Sequence, residues 1–309
     1  MSKQKSIEEV RTLQLEELTA STARAYKSLV HPKHLEWLDQ INGSSVWGFG
    51  ASNNNQPAGI VLGRSAINEG QAKIIELVVA EEQQRRGMGM KLLWHAEQKM
   101  REQGISDGQF AGFIKAQDFS WLSKMAIRKG WQLPKVKTYM YTLGSMRLGE
   151  CHWVERLAAL PEDFTLFPWK DLTPAERLEI EKGEGQWYTS LLSPFFEEGK
   201  FDPDYSTGLR YQGKVIGWVI VQRMAGNLLL YKTMFVQEKY QQQARGITLL
   251  MKTIAQAQPA FPFGICFIEH DNEPMLRFME RRLGPTIFHR KLWIETTKVL
   301  VGQYSDHFC

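Results

Sequence analysis

The chain has 309 residues, and at ~150 residues per typical domain this length predicts about two domains. Apolar residues make up 43% and charged residues 23%, which excludes intrinsically disordered, collagen-like and disulfide-scaffold proteins. The net charge of +4 is small and spread along the chain, so it permits an anionic partner without requiring one.

The sequence predicts a cytoplasmic protein. Its three cysteines, Cys151, Cys266 and Cys309, are far apart and form no CxxC pair, which disfavours a disulfide framework or a structural zinc site. No segment approaches the ~18 apolar residues of a membrane span. The N-terminal stretch MSKQKSIEEVRTLQLEEL lacks the apolar region of a signal peptide and is expected to lead into a helix.

The first half of the chain predicts an alternation of strands and helices. Short β-branched runs predict the strands, and apolar residues at helical spacing predict the helices. Gly87 and Gly89 lie where a strand gives way to a helix, and Gly130 closes a later helix. The elements in chain order are strands 57–62 and 74–79, a helix from Met90, strand 108–114, helix 121–128 and strand 138–143.

The second half repeats this order, with a constant offset around the glycine turn and an offset of 158 between strands 57–62 and 215–220. Val79 and Val236, Gln84 and Gln241, and Gly89 and Gly246 are each 157 positions apart. The repeated elements are strands 215–220 and 228–236, helix 247–257, strand 263–268, helix 273–282 and strand 288–296. We therefore expect two domains of one fold, an N-terminal domain at 1–148 and a C-terminal domain at 149–309.

Two features distinguish the start of the second half. Thr173, Pro174 and Glu176 form a capping-box pattern that predicts a helix over 174–182. The aromatic segment 187–196 is either a substrate wall or part of the core.

The turn between strand 74–79 and the following helix predicts an anion site. Backbone N–H groups at a helix start lack helical partners, and the helix dipole favours negative charge there. Gly87 and Gly89 would let the backbone approach a phosphate closely, and Arg85 and Arg86 add positive charge. A Rossmann fingerprint would need a glycine where Leu92 stands, and a Walker A loop would need Gly-Lys-Ser/Thr.

The residues Gln84-Arg85-Arg86-Gly87-Met88-Gly89 resemble the pyrophosphate loop of the GCN5-related N-acetyltransferases, the GNAT superfamily, which reads Arg/Gln-x-x-Gly-x-Gly/Ala after strand four. The second copy, 241–246, departs from this pattern with Ala244 in place of the first glycine. Asn272 and the helix after it resemble a later motif of the family. The likeness spans both halves, so the chain is similar to a tandem GNAT protein.

The resemblance implies an α/β (α+β) fold with two GNAT-like domains. Each would be a mixed, mostly antiparallel twisted sheet of about six to seven strands flanked by helices, splayed between its fourth and fifth strands. Acyl-CoA or acetyl-CoA would bind in the split as co-substrate, without a metal. An amine would attack the thioester directly, and a backbone N–H near Val79 or Val236 would stabilise the oxyanion.

The resemblance also supplies candidate site residues. The expected CoA-binding residues are Leu77, Val78, Val79, Gln84, Arg85, Arg86, Gly87, Met88 and Gly89 in the first copy, and Val236, Gln241, Ala244, Arg245, Gly246 and Asn272 in the second. Glu76, a carboxylate within an apolar strand, is the candidate base, and His270 is a second catalytic candidate. The tyrosine acid frequent in the family has no equivalent, because its positions fall near Ala126 and Met279.

These features favour an acyl-CoA-dependent N-acyltransferase that acts on an amine of a small molecule or peptide. Acetyl is the default acyl group, and a longer fatty acyl group is an alternative because Met88, Met90, Met125 and segment 187–196 could line an adaptable channel. A peptide-tailoring acyltransferase of natural-product biosynthesis, an aminoacyl-tRNA-dependent transferase and a non-enzymatic CoA-binding module remain alternatives. No nucleic-acid partner is expected, and the complete glycine loop favours the first copy as the CoA site.

Overall fold

The computed structural model describes residues 13–154, 160–241 and 244–300. Cys309 and two residues of the second loop, Gln242 and Gln243, lie outside the described residues. The strands are β1 (Leu13–Glu17), β2 (Val46–Asn53), β3 (Gln56–Ala66), β4 (Gln71–Val79), β5 (Asp107–Lys115), β6 (Lys135–Gly144), β7 (Phe164–Pro168), β8 (Thr207–Tyr211), β9 (Lys214–Ala225), β10 (Leu228–Val236), β11 (Phe263–Glu269) and β12 (Ile287–Val299).

The helices are α1 (Ala20–Ala23), α2 (Glu36–Asp39), α3 (Met88–Glu102), α4 (Phe119–Arg128), α5 (Pro174–Gly183), α6 (Glu238–Gln241), α7 (Arg245–Ala257) and α8 (Glu273–Arg282). Five of the helices in the described residues, α3, α4, α5, α7 and α8, correspond to helices that the sequence predicts, and three short ones, α1, α2 and α6, do not. Helix α5 begins with the expected capping box, in which the Glu176 carboxylate accepts from the Thr173 N–H at 2.9 Å. Within the described residues no helix is long and apolar enough to cross a membrane.

The chain packs as two compact units. Unit 1 comprises the described residues up to Val136 together with 293–300, and unit 2 comprises Lys137–Leu292. Strand β6 from Lys137 onward therefore packs in unit 2, whereas the last part of β12, from Trp293, packs in unit 1. These units are defined by packing; the boundary at 148/149, which follows from the sequence repeat, stays a prediction.

Each unit contains a mixed, mostly antiparallel sheet. In unit 1 the strand order is β1-β2-β3-β4-β5, with β12 beside β5. In unit 2 the order is β6-β11-β10-β9-β8-β7. The pairing β4–β5 is parallel in unit 1, as is β10–β11 in unit 2. The expected α/β fold with two mixed, mostly antiparallel sheets is confirmed.

The expectation that the N-terminus leads into a helix is wrong for its described part. Leu13–Glu17 is strand β1, which pairs antiparallel with β2 from Leu13 opposite Asn53 to Glu17 opposite Phe49. The ladder to β2 satisfies those backbone groups of this segment that face β2. Ion pairing to Lys99 at 2.6 Å anchors Glu17 as well.

Apolar side chains cover both faces of each sheet. In unit 1, one cluster packs beneath α3 and includes Trp47, Ile74 and Leu92, all fully buried. A second cluster covers the other face with residues from the α1–α2 region, such as Tyr26 and Leu38. Contact with one cluster or the other therefore shows on which face of β4 a side chain lies.

The aromatic segment 187–196 forms part of the core of unit 2. Tyr188 is buried, and Trp187, Leu192 and Phe195 pack with it against Trp218 on β9. Leu191 and Phe196 of the same segment are exposed. Packing in the core therefore accounts for most of this segment.

A buried carboxylate on α3 holds the last part of strand β12 in unit 1. Glu97 on α3 is 5% exposed and accepts from the Trp131 indole N–H at 2.7 Å. The ammonium of Lys298 on β12 lies 2.7 Å from the other oxygen of Glu97, and Arg101 lies 3.4 Å away. Strand β12 thus supplies the main counter-charge of a carboxylate in the core.

Replacing Lys298 should destabilise unit 1 strongly. In Lys298→Met the Glu97 carboxylate stays buried with only the distant Arg101 opposite it, which we expect to lower the unfolding free energy by about 3–5 kcal/mol. The double variant Glu97→Gln/Lys298→Met should recover most of this loss, because it removes the buried charge and keeps an acceptor for Trp131. Urea denaturation measures both, with the exposed Lys291→Met on the same strand as control. A loss no larger than that of the control would contradict the account.

Candidate functional site

Strands β4 and β5 separate partway along their length. Their parallel pairing runs for four residue pairs, from Gln71 opposite Asp107 to Ile74 opposite Phe110. A β-bulge follows at once, because Gly63 on β3 pairs with Ile74 and Leu62 pairs with Glu76, which leaves Ile75 as the extra residue. Beyond the bulge β4 keeps β3 as its partner and leaves a gap towards β5.

The backbone of β4 presents hydrogen-bond donors to this gap. The Ala80 N–H donates to the Ala58 carbonyl at 2.9 Å, towards β3. Successive N–H groups of a strand point to opposite sides, so the N–H groups of Val79 and Leu77 point away from β3 and into the gap. An extended ligand that carries carbonyl acceptors could therefore pair with β4 in place of a strand.

Unit 2 contains the same arrangement. The pairing of β10 with β11 runs from Leu228 opposite Phe263 to Tyr231 opposite Cys266, and a bulge follows between Tyr231 and Thr233. The Gln237 N–H donates to β9 at 2.8 Å. By the same alternation the N–H groups of Val236 and Met234 point into the gap.

The glutamine that opens each loop motif clamps the loop to its strand. The Gln84 side-chain amide donates to the carbonyl of Val79 at 3.0 Å, and Gln241 donates to the carbonyl of Val236 at 2.7 Å. Both carbonyls belong to the last residue of the strand. This shared bond gives Gln84 and Gln241 a structural role beside the predicted cofactor contact.

The loop in unit 1 leaves room for an anion at the start of α3. Gly87 is the residue before the helix and has φ +80°, and a side chain there would meet nothing within 4 Å. No side chain caps the helix, and its first backbone bond runs from the Lys91 N–H to the Gly87 carbonyl. The N–H groups of the first turn are thus free for a ligand. Arg85 and Arg86 are both exposed beside them, whereas Met88 is buried in the core and only its N–H is at the site.

The loop in unit 2 departs from this geometry. Ala244 takes the position of Gly87 with φ +58°, a left-handed conformation that a Cβ atom disfavours. The guanidinium of Arg245 lies over the ring of Phe164 at 4.7 Å, and its buried Nε has no hydrogen-bond partner within the described residues. A side chain at Gly246 would come within 3.0 Å of Met234. The positive charge of Arg245 is therefore directed at an aromatic ring in the core.

Glu76, the predicted base, lies directly after the bulge in β4. Its Oε2 is 2.5 Å from Nδ1 of His34, and the two side chains are 14% and 20% exposed. Val78, two residues on, packs with the α1–α2 cluster, whereas Leu77 and Val79 pack beneath α3. The Glu76 side chain therefore lies on the α1–α2 face of β4.

Sequence reasoning did not identify His34. It lies in a single 3-10 turn (Pro32–His34), 42 residues before Glu76, and nothing in its local pattern distinguishes it from a surface histidine. The pairing of such distant residues becomes visible only in the fold.

The equivalent of Glu76 in unit 2 is Thr233, which the core of that unit covers. Thr233 is buried, and its hydroxyl donates to the carbonyl of Leu192 at 3.3 Å. Trp218 donates to the same carbonyl at 3.0 Å. The core segment 187–196 thus occupies the face of β10 where unit 1 has its carboxylate and imidazole.

The two remaining predicted residues of unit 2 lie after β11. His270 is exposed, and its backbone N–H donates to the backbone carbonyl of Lys137. The Asn272 side chain accepts from the Met275 N–H at 3.2 Å and so caps α8. Their catalytic and cofactor roles stay predictions.

Unit 2 also contains a cavity of 360 Å³ on the β9 side of β10. Tyr211 and Tyr240 line it together with Glu176 and Lys214. Arg210 already pairs with Glu176 and, as its closest partner, holds the pKa of that carboxyl at about 2. The cavity does not include the strand gap.

Comparisons with known proteins support the fold of two GNAT-like domains. Residues 7–121 match the model of the acetyltransferase (GNAT) family. A tandem GNAT protein from the clavulanic acid biosynthesis pathway aligns with 94% of this chain and 99% of its own, at 16% identity and a TM-score of 0.55. A GCN5-related N-acetyltransferase from Sphaerobacter thermophilus covers 94% of this chain and 96% of its own, at 14% identity and a TM-score of 0.54. A search of curated proteins gives no significant match.

Relieving the strained residue at the start of α7 should stabilise unit 2. Ala244→Gly removes the Cβ atom from a left-handed conformation, and we expect a gain of about 0.5–1 kcal/mol in unfolding free energy. The matched control, Ala255→Gly at an exposed interior position of α7, should lose about 1 kcal/mol. Urea denaturation compares the two. A loss in both variants would show that Ala244 is not strained.

Proposed function

Because residues 7–121 carry a domain of the GNAT acetyltransferase family and the chain has the tandem GNAT fold, we propose that the protein is an acyl-CoA-dependent N-acyltransferase. Acetyl is the default acyl group, and the acceptor is a primary amine of a small molecule or peptide. The observation that carries the proposal is the gap beside β4, into which the N–H groups of Leu77 and Val79 point.

The gap and the loop together match the parts of an acyl-CoA. The pyrophosphate would lie against the free N–H groups at the start of α3, near Gly87 and the exposed Arg85 and Arg86. The pantetheine arm would lie along β4, where a strand partner is missing. In this arrangement the thioester would lie near the bulge and near Glu76.

The reaction needs one proton acceptor and one oxyanion site. The ammonium group of the acceptor gives one proton to the proton acceptor and becomes a neutral amine. The amine's lone pair attacks the thioester carbonyl, so that a C–N bond forms and the carbonyl oxygen gains negative charge. A gap-facing N–H of Val79 or Leu77 stabilises that charge. The C–S bond then breaks, the carbonyl re-forms, and the thiolate is protonated by the proton that leaves the attacking nitrogen, directly or through water.

Three contrasts support unit 1 as the working half. Its loop has Gly87 where unit 2 has the strained Ala244. Its cations are exposed at the loop, whereas Arg245 lies over a core ring. Its strand gap has an ionisable pair beside it, whereas Thr233 in unit 2 bonds to a core carbonyl.

The packing of the candidate channel residues favours a short acyl group. Met88 is 4% exposed and Met125 packs against the same core cluster, so these side chains fill the core beneath α3. Segment 187–196 packs in unit 2. We therefore propose acetyl ahead of a fatty acyl chain, the donor that a peptide-tailoring enzyme of natural-product biosynthesis would use.

Thiol release tests the activity. With acetyl-CoA and a panel of small-molecule and peptide amines, we expect release of free CoA that depends on the amine. Mass spectrometry should find the N-acetyl product in an amount equal to the CoA released. CoA binding, seen as a thermal shift, without turnover of acetyl-, octanoyl- or palmitoyl-CoA for any amine would favour the non-enzymatic module. Transfer that requires aminoacyl-tRNA would favour the tRNA-dependent class.

Charge substitutions in the two loops test which unit binds CoA. Gly87→Asp places a carboxylate where the pyrophosphate would lie, and we expect it to abolish the thermal shift that CoA induces. Gly87→Asn is the matched control, since Asn has the same shape, tolerates left-handed backbone and carries no charge. Ala244→Asp should retain the shift. Loss of the shift in Ala244→Asp but not in Gly87→Asp would reverse the assignment.

A further inference from the structure

We propose that His34 is the proton acceptor of this site and that Glu76 is its positioning residue. The inference rests on the proposed function and assigns a residue to it that the sequence does not reveal. Its basis is the 2.5 Å contact between His34 Nδ1 and Glu76 Oε2.

The contact fixes the tautomer of the imidazole. An ionised carboxylate has only acceptor sites, so the hydrogen in this bond belongs to Nδ1 of His34. A neutral imidazole protonated on Nδ1 carries its lone pair on Nε2. Within the described part of the chain Nε2 has no hydrogen-bond partner, and the side chain is 20% exposed. His34 therefore offers Nε2 as an unpaired acceptor on a side chain that is partly open to solvent.

Both partners are held firmly by their backbones. Glu76 is paired with Leu62 on β3, directly after the bulge. The turn of His34 begins at Pro32 and is closed by the bond from the His34 N–H to the His31 carbonyl at 2.8 Å. Fixed backbones on both sides allow the carboxylate to orient the ring as well as to neutralise it.

The same geometry argues against Glu76 as the direct proton acceptor. One of its oxygens is engaged by His34, and the side chain is only 14% exposed. Glu76 therefore acts through His34.

The proton balance of the step is simple. Nε2 of His34 takes one proton from the acceptor ammonium, which leaves a neutral amine with its lone pair free to attack. The ring becomes an imidazolium, whose positive charge the Glu76 carboxylate stabilises through the Nδ1–H bond. Nε2 then releases its proton to solvent, so that the overall reaction yields amide, free thiol and one proton.

Two variants separate the roles of the pair. His34→Asn keeps an N–H that can donate to Glu76 but removes Nε2, and His34→Ala opens space for a free imidazole. We expect both to lower kcat on the order of 10²- to 10⁴-fold with little change in KM for acetyl-CoA. Added imidazole should restore activity to His34→Ala alone, and Glu76→Gln should lose kcat without rescue. His95→Asn, on α3 and stacked on Phe49, is the control and should behave as wild type.

The outcomes distinguish this inference from the proposed function. Near wild-type kcat in His34→Asn together with a large loss in Glu76→Gln would make Glu76 the direct base and overturn the inference while the acyltransferase stands. Absence of turnover in the wild type would overturn the proposed function. Nitrogen NMR of the imidazole in the wild-type protein then still decides the geometry. The Nδ1–H tautomer is expected, and an Nε2–H tautomer would contradict the inference.

Discussion

The separation of two parallel strands after four residue pairs is the constraint on which the site depends. A parallel strand normally satisfies the backbone of its neighbour along its whole length, and unpaired N–H groups are costly when they are removed from water. In each unit, backbone N–H groups along the gap lack a strand partner, and a ligand with carbonyl groups can accept hydrogen bonds from them. A bulge lies at the point of separation, and in unit 1 the first residue paired after it is Glu76.

The two units share this backbone and differ in chemistry. The glutamine clamp, the bulge and the direction of the free N–H groups recur in both. The side chains beside the gap have diverged, since a carboxylate and an imidazole in unit 1 correspond to a threonine bonded to a core carbonyl in unit 2. A fold that is duplicated thus does not imply a duplicated site.

The sequence predicts the backbone better than the site. The 157-residue offset and the alternating apolar pattern correctly indicate the duplicated strands and helices, because these depend on local periodicity. The same reasoning gives the wrong structure for Leu13–Glu17, because this segment becomes a strand through its pairing with β2. His34 could not be identified for a related reason: its partner lies 42 residues away, and only the packing of the α1–α2 region brings the two together. Arg245 has the right charge for a phosphate, yet packing directs it over Phe164.

The central claim is that an acyl-CoA occupies the strand gap of unit 1. Residue-resolved amide hydrogen exchange, measured with and without CoA, tests it most directly. The account predicts that CoA slows exchange at Leu77 and Val79 and at the first turn of α3, while Met234 and Val236 exchange as in the free protein. Protection of Met234 and Val236 with no change at Leu77 and Val79 would contradict it.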